Sequence, residues 1–229
     1  FLGTSLFADA FFVAFRLPNT FRRLFAEGTF NAAFIPSYTS EKLKSKARGK
    51  KFADEVLTLL TLGLLTIVLI VEIITPYVVY LIAPGFVNDV TKFELAVNFT
   101  RITFPFLAFV SLSSFFAGIL NSENKFAAAA AAPIFLNLFL ILSLSISYYF
   151  ELDIALNLSY GVSLAGLIQL IFLILFASKY YSPSLVFKKK IGKKVKFFIY
   201  KLLPSIFSSG VTQINILIGT IIASFQASA

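Results

Sequence analysis

The chain has 229 residues, of which 58% are hydrophobic and only 14% charged, with a mean hydropathy of +0.87. That composition is too apolar for a water-soluble domain and reads as an integral membrane protein. With no Cys and no His, disulfides, thiolate catalysis, imidazole acid/base work and the usual zinc ligand sets are excluded; the net charge of +9 fits loops facing an anionic membrane surface rather than nucleic acid.

A membrane-spanning helix needs about 20 mainly apolar residues, and six stretches qualify: about 5–40, 54–82, 94–120, 127–150, 154–178 and 198–226. The fold class expected is all-α, a polytopic transmembrane helical bundle forming one unit over 1–229. The chain starts at Phe1 and contains no Met, so a fragment is expected, and no signal-peptide pattern stands at its front.

The first stretch, 5–40, is unlike the rest. It carries Asp9, Arg16, Asn19, Arg22, Arg23 and Glu27 among many Phe residues. At 100° per residue these six polar groups fall within an arc of about 140°, opposite Val13, Ala14, Leu17, Phe21, Leu24 and Phe25. Charged groups in hydrocarbon cost several kcal/mol each, so the stripe is expected to face water or partners. Asp9 with Arg16 and Arg23 with Glu27 could neutralise one another and leave Arg22 over. A net cationic groove is the sharper alternative, because the planar guanidinium grips phosphate oxygens bidentately. Pro18, inside the stripe, is expected to break the helix as a hinge and free carbonyls along a cavity.

In the later stretches, Pro76, Pro105, Pro133 and Pro204 predict kinks or broken ends. Glu72 stands alone in its apolar surroundings, as an ion-pair partner or a proton site. Arg101 is expected to snorkel to the outer headgroups. The six alanines Ala127 to Ala132 read as a close-packing helix start. Lys188 to Lys201 read as a basic surface segment leading into the last span. Asp54 and Glu55, the adjacent acids, are placed in a loop.

The loops fix an orientation. The first holds six basic residues, the third one and the fifth eight, fifteen together, whereas the second holds only Lys92 and the fourth none. The positive-inside rule therefore places the first, third and fifth loops in the cytoplasm. The first helix then runs from outside to inside, and a cytoplasmic N-terminus requires one more span before Phe1.

The run Ala8-Asp9-Ala10-Phe11-Phe12-Val13-Ala14-Phe15-Arg16-Leu17-Pro18-Asn19, then Arg22-Arg23-Leu24-Phe25-Ala26-Glu27-Gly28 and Ala33-Phe34-Ile35-Pro36, closely resembles the signature of the MurJ/MviN family of bacterial lipid II flippases. Ala83-Pro84-Gly85-Phe86, Ile102-Thr103-Phe104-Pro105, Gly118-Ile119-Leu120-Asn121 and Ala223-Ser224-Phe225 extend the likeness along the chain. It departs at Gly219, where many relatives carry Asp or Asn.

The resemblance implies the second to seventh helices of the N-terminal lobe of an alternating-access transporter in the bacterial cytoplasmic (inner) membrane. The cargo would be lipid II, a diphosphate-linked peptidoglycan precursor moved between leaflets without any bond being made or broken. No cofactor, metal or catalytic residue is expected, and a coupling ion or the membrane potential would supply energy. Substrate binding is expected at Arg22, Arg23, Arg16 and Asn19, with Asp9 and Glu27 as gating or ion-pair residues and Pro18 as hinge. A drug/cation antiporter or a polysaccharide or lipid-linked oligosaccharide exporter of the same superfamily is the alternative; an antiporter would lean on carboxylates, and this helix has three Arg against two acids. An enzyme acting on polyprenyl phosphates would need clustered Asp or a His nucleophile, and a scaffold gives no reason for cations at membrane depth.

Overall fold

The computed structural model describes residues 3, 5–26, 29–187 and 191–225, the side chains of 21, 23–26, 29, 203 and 205–214 excepted. The described residues form an all-α bundle. Its helices are α1 (Leu6–Ala26), α2 (Thr29–Lys44), α3 (Lys46–Ile82), α4 (Val90–Thr103), α5 (Phe106–Ser122), α6 (Phe126–Ala131), α7 (Ile134–Phe150), α8 (Ile154–Ala177) and α9 (Lys193–Ser224), with one 3-10 turn at Pro84–Asn88. Among the described residues, four stretches are long and apolar enough to cross a bilayer: Lys46–Ile82, Val90–Ser122, Phe126–Phe150 and Ile154–Ala177.

The turns are short because polar caps end the helices on cue. Ser45, Asp89 and Asp153 each accept a hydrogen bond from the backbone N–H three residues on, at 3.1, 3.0 and 2.9 Å, starting α3, α4 and α8. Glu151 takes a left-handed conformation (φ 54°) to close α7.

Proline acts unevenly. Pro105 separates α4 from α5, and Pro133 separates α6 from α7, so the segments expected over 94–120 and 127–150 are each two helices. Near Pro76, Ile74 leaves helical geometry, and the Glu72 carbonyl that Pro76 cannot reach accepts from Thr75 Oγ1 at 3.1 Å. Pro18 and Pro204 lie inside helices that run on. The stretch expected as one segment over 5–40 is carried by α1 and α2. Asp54 and Glu55 lie on α3, not in a loop.

The elements group at two ends. Phe30, Phe34, Tyr38, Phe52, Phe115, Leu173, Tyr181 and Phe198 make one core at the Lys-rich end; Phe11, Val79, Phe86, Phe99, Phe106 and Leu158 make another toward the opposite end. α5 is the central element, with most of its residues buried. A Cβ on its Gly118 would fall 2.5 Å from Asn31 Oδ1 and 2.8 Å from the Phe34 ring, so α2 and α5 approach where only glycine fits. By contrast, α7 exposes Leu138, Ile141, Leu142 and Ile146, and α3 exposes Ile67, Leu69, Ile70 and Ile73. An outward apolar surface is unfavourable in water and natural in lipid. Exposed Tyr77, Tyr80, Tyr148 and Tyr149 ring the end away from the lysines, where amphipathic rings favour a membrane interface. The architecture is that of a multi-pass membrane protein.

Candidate functional site

The polar stripe lies on α1, a helix whose other face supplies Ala10, Phe11, Val13 and Ala14 to the core. Rising 1.5 Å per residue, α1 places Arg16 about 15 Å and Arg22 about 24 Å along the helix from its start. Both arginines and Asn19 are half-buried. Asn19 lies one turn before Arg22, and its Oδ1 accepts from Arg22 Nε at 3.0 Å. That bond fixes the plane of the guanidinium.

Asp9 does not neutralise Arg16. Its Oδ2 takes Lys92 Nζ at 2.6 Å, a pair that ties α1 to α4. The seven-residue step between Asp9 and Arg16 spans about 10 Å along the axis, whereas Lys92 arrives laterally. Lys92 is 5% exposed, with its ammonium 4.4 Å from the Phe86 ring centroid. Deprived of that carboxylate, Arg16 has its Nε buried with no hydrogen-bond partner among the described residues. An unsatisfied buried donor costs about 1 to 3 kcal/mol, so the stripe contains a cationic donor the described fold leaves unanswered.

Pro18 does not break α1. Lacking an N–H, it leaves the Ala14 carbonyl without its helical donor, and fully buried Thr103 of α4 donates Oγ1 to that carbonyl at 3.1 Å. A neighbouring helix thus repairs the ladder, and the freed carbonyl faces α4 rather than a cavity. The side chain of Arg23 and the whole of Glu27 lie outside the described residues, as do any bonds between them.

Sequence reasoning missed Lys92 and Thr103. Lys92 did leave a signal: it is the lone basic residue of a loop expected outside, where the orientation rule disfavours one. Thr103 stands in the Ile102-Thr103-Phe104-Pro105 run that carries the family likeness, but its pairing was not legible, because its acceptor lies 89 residues away.

Away from the stripe, Glu72 is half-buried on α3 with Oε1 lacking a hydrogen-bond partner. Arg101 is exposed in the last turn of α4. It lies about 16 Å along that helix from its start. In α9, Thr220 is buried and bonds back to the Ile216 carbonyl at 3.0 Å; Gln213 lies outside the described side chains. No group of three or more acids that could hold a metal exists among the described residues.

At the Lys-rich end, Asp54 is a hub. Its Oδ2 accepts from Lys50 at 2.7 Å, and its Oδ1 accepts from Tyr181 Oη at 2.7 Å and the Ser184 N–H at 3.1 Å. Val186 N–H donates to Thr58 Oγ1 at 2.9 Å. Together these strap the segment after α8 onto α3. Burial, then the Asp54 hydrogen bond, push the Tyr181 phenol well above its ordinary range.

Comparison with known proteins decides the family. The model of the family described as "Lipid II flippase MurJ" matches residues 1–229. The chain belongs to the MurJ family. It is 43% identical over 234 residues to the probable lipid II flippase MurJ of Rhizobium meliloti (strain 1021), covering all of this chain and 44% of that protein. It is 39% identical to the probable lipid II flippase MurJ of Rickettsia prowazekii (strain Madrid E), covering 97% of this chain and 44% of that one. Against the lipid II flippase MurJ of Burkholderia cenocepacia it is 32% identical, with coverages of 97% and 44%. A solved structure titled "Lipid II flippase MurJ, inward closed conformation" superposes with a TM-score of 0.82 at 25% identity, covering all of this chain and 46% of that one. The chain thus spans less than half the length of the MurJ relatives it matches.

Proposed function

We propose that the chain forms the N-terminal lobe of a flippase that carries lipid II from the inner to the outer leaflet of the bacterial cytoplasmic membrane. The names of its relatives support the cargo. The observation that carries the site is the unneutralised cation on α1: Asp9 is held by Lys92, and Arg16 Nε is buried without a partner. A diphosphate brings the negative charge and multiple acceptor oxygens that such a stripe lacks. Arg22, oriented by Asn19, grips it through charge-assisted bonds, and Arg16 and Arg23 add charge along the same face. Asp9 and Glu27 act as ion-pair residues that switch as the cavity opens and closes, and the Pro18 turn, whose freed Ala14 carbonyl is held by Thr103, is the place where α1 bends.

The lobe works by alternating access against a second lobe, driven by a coupling ion or the membrane potential. No bond of the cargo changes, so the protein is a transporter and not an enzyme. Lys46 and the other basic residues of the first, third and fifth loops face the cytoplasm. An antiporter of the same superfamily would lean on carboxylates, and the first stretch carries three arginines against two acids.

The test uses cells in which this protein is the sole flippase, reading lipid II exposed at the outer leaflet alongside protein in the membrane. Arg22→Ala should abolish exposure, Arg22→Lys should impair it, and Lys196→Ala, on the exposed basic face of α9, should leave it unchanged. Normal exposure with Arg22→Ala at normal protein level rejects the diphosphate role; loss of the protein itself assigns Arg22 to folding instead.

A further inference from the structure

A second basic site lies at the other end of the molecule from Asp9 and Lys92. A cleft of about 480 Å³ is bounded by Tyr38, Lys42, Lys46, Lys50, Lys179 and Tyr181, contributed by α2, α3 and the segment after α8. Two of its lysines are pre-arranged: Lys42 bonds to Glu123, and Lys50 bonds to Asp54 and, at 2.9 Å, to Ser184 Oγ. The other two, Lys46 and Lys179, are exposed and make no ion pair with any described carboxylate. Four ammonium groups therefore meet two carboxylates.

The cleft also contains the start of α3, at Lys46 and Ala47. Their backbone N–H groups precede the first intrahelical bond, which runs from Gly49 N–H to the Ser45 carbonyl at 3.1 Å. Helix-terminal N–H groups beside uncompensated ammonium groups form an anion site. Topology signalling alone asks only for lysines somewhere in a loop; it does not ask that residues 42 and 179 converge on one concavity floored by two buried tyrosines.

We propose that this cleft binds the phosphate-bearing headgroup of an anionic phospholipid of the cytoplasmic leaflet. The membrane, rather than the cytosol, is named as the source because Leu43, beside Lys42, is 84% exposed and Tyr180, on the cleft wall, is exposed too. An exposed leucine one residue along from a cleft lysine, and an exposed amphipathic ring on the cleft wall, suit the junction of headgroup and acyl chain. The cleft is distinct from the α1 stripe and requires no particular cargo.

The test is thermal stabilisation of the purified protein in detergent by dioctanoyl phosphatidylglycerol, with dioctanoyl phosphatidylcholine, glycerol 3-phosphate and inorganic phosphate as comparison ligands. The parent should be stabilised by phosphatidylglycerol at concentrations at least tenfold below those needed with the other three. The double variant Lys46→Gln/Lys179→Gln should lose at least tenfold in apparent affinity while keeping its unliganded melting temperature. The control Lys125→Gln/Lys196→Gln, which removes the same charge elsewhere, should bind like the parent. Equal stabilisation by phosphatidylcholine, equal stabilisation by the soluble phosphates, equal loss in the control, or unchanged binding by the double variant each overturns the proposal; a lowered unliganded melting temperature makes these lysines structural and overturns it as well.

Discussion

The Asp9–Lys92 pair makes a directional prediction because its two partners are buried unequally. The Lys92 side chain is 6% exposed and that of Asp9 41% exposed, with 2.6 Å between Nζ and Oδ2. Removing one partner of a buried pair costs about 3 to 5 kcal/mol when the survivor stays buried and uncompensated. Asp9→Asn removes a carboxylate held against an ammonium that is itself buried, so a loss of about 3 kcal/mol is expected. Lys92→Met leaves a carboxylate that is far less buried, and the methionine keeps an apolar contact with Phe86, so a loss of about 1 kcal/mol is expected. For a protein of this size each kcal/mol corresponds to roughly 2 to 4 °C. Thermal unfolding in detergent should therefore show Asp9→Asn lowering the midpoint several-fold more than Lys92→Met. The double variant should recover most of the Asp9→Asn loss. Equal losses in the two single variants, or a double variant no better than Asp9→Asn, would refute the reasoning.

Three further outcomes are expected. A cysteine at Lys46, in a chain with no other cysteine, should resist an impermeant thiol reagent added to intact cells and react once the membrane is opened; labelling from outside contradicts the orientation. Thr103→Val strips the Ala14 carbonyl of its donor and should destabilise by about 1 to 3 kcal/mol, while Thr103→Ser should be milder; equal denaturant midpoints for Val and the parent would show that the carbonyl is satisfied otherwise. The Tyr181 phenol is raised above its ordinary value, so its bond to Asp54 contributes fully below about pH 10 and is lost only as pH rises through the higher folded value. Phenolate absorbance should therefore rise identically in the parent and Tyr181→Phe between about pH 9 and 11; a missing phenol in the variant's titration over that interval contradicts the burial.

Much of the fold was legible because hydrocarbon imposes a strong rule. A span must be long and apolar, and the charges left over collect in loops, so α3, α7 and α8 could be read from composition alone. The α1 signature likewise carried the family, and the stripe emerged from helical periodicity. What could not be read was lateral. Asp9 meets Lys92 across 83 residues of chain, and within α1 the wheel offered only Arg16, on the right face but two turns away. Pro18 reads as a break for the same reason: the hydroxyl that repairs its turn comes from another helix. Asp54 looked like a loop acid because it precedes an apolar run; α3, at 37 residues about 55 Å long, extends beyond any hydrocarbon layer and carries it at its basic end.

The central claim, that the cations of α1 grip a diphosphate, is tested most directly by binding rather than transport. Lipid II is titrated against the purified protein and displaced with inorganic diphosphate, for the parent, Arg22→Lys and Asn19→Ala. A charge-assisted contact of about 1.5 to 3 kcal/mol predicts that Arg22→Lys weakens binding by roughly 10- to 150-fold. Asn19→Ala, which frees the guanidinium plane, should weaken it less, and diphosphate should compete with the parent far better than with Arg22→Lys. Binding unchanged in Arg22→Lys, with diphosphate unable to displace the lipid from the parent, would contradict the claim.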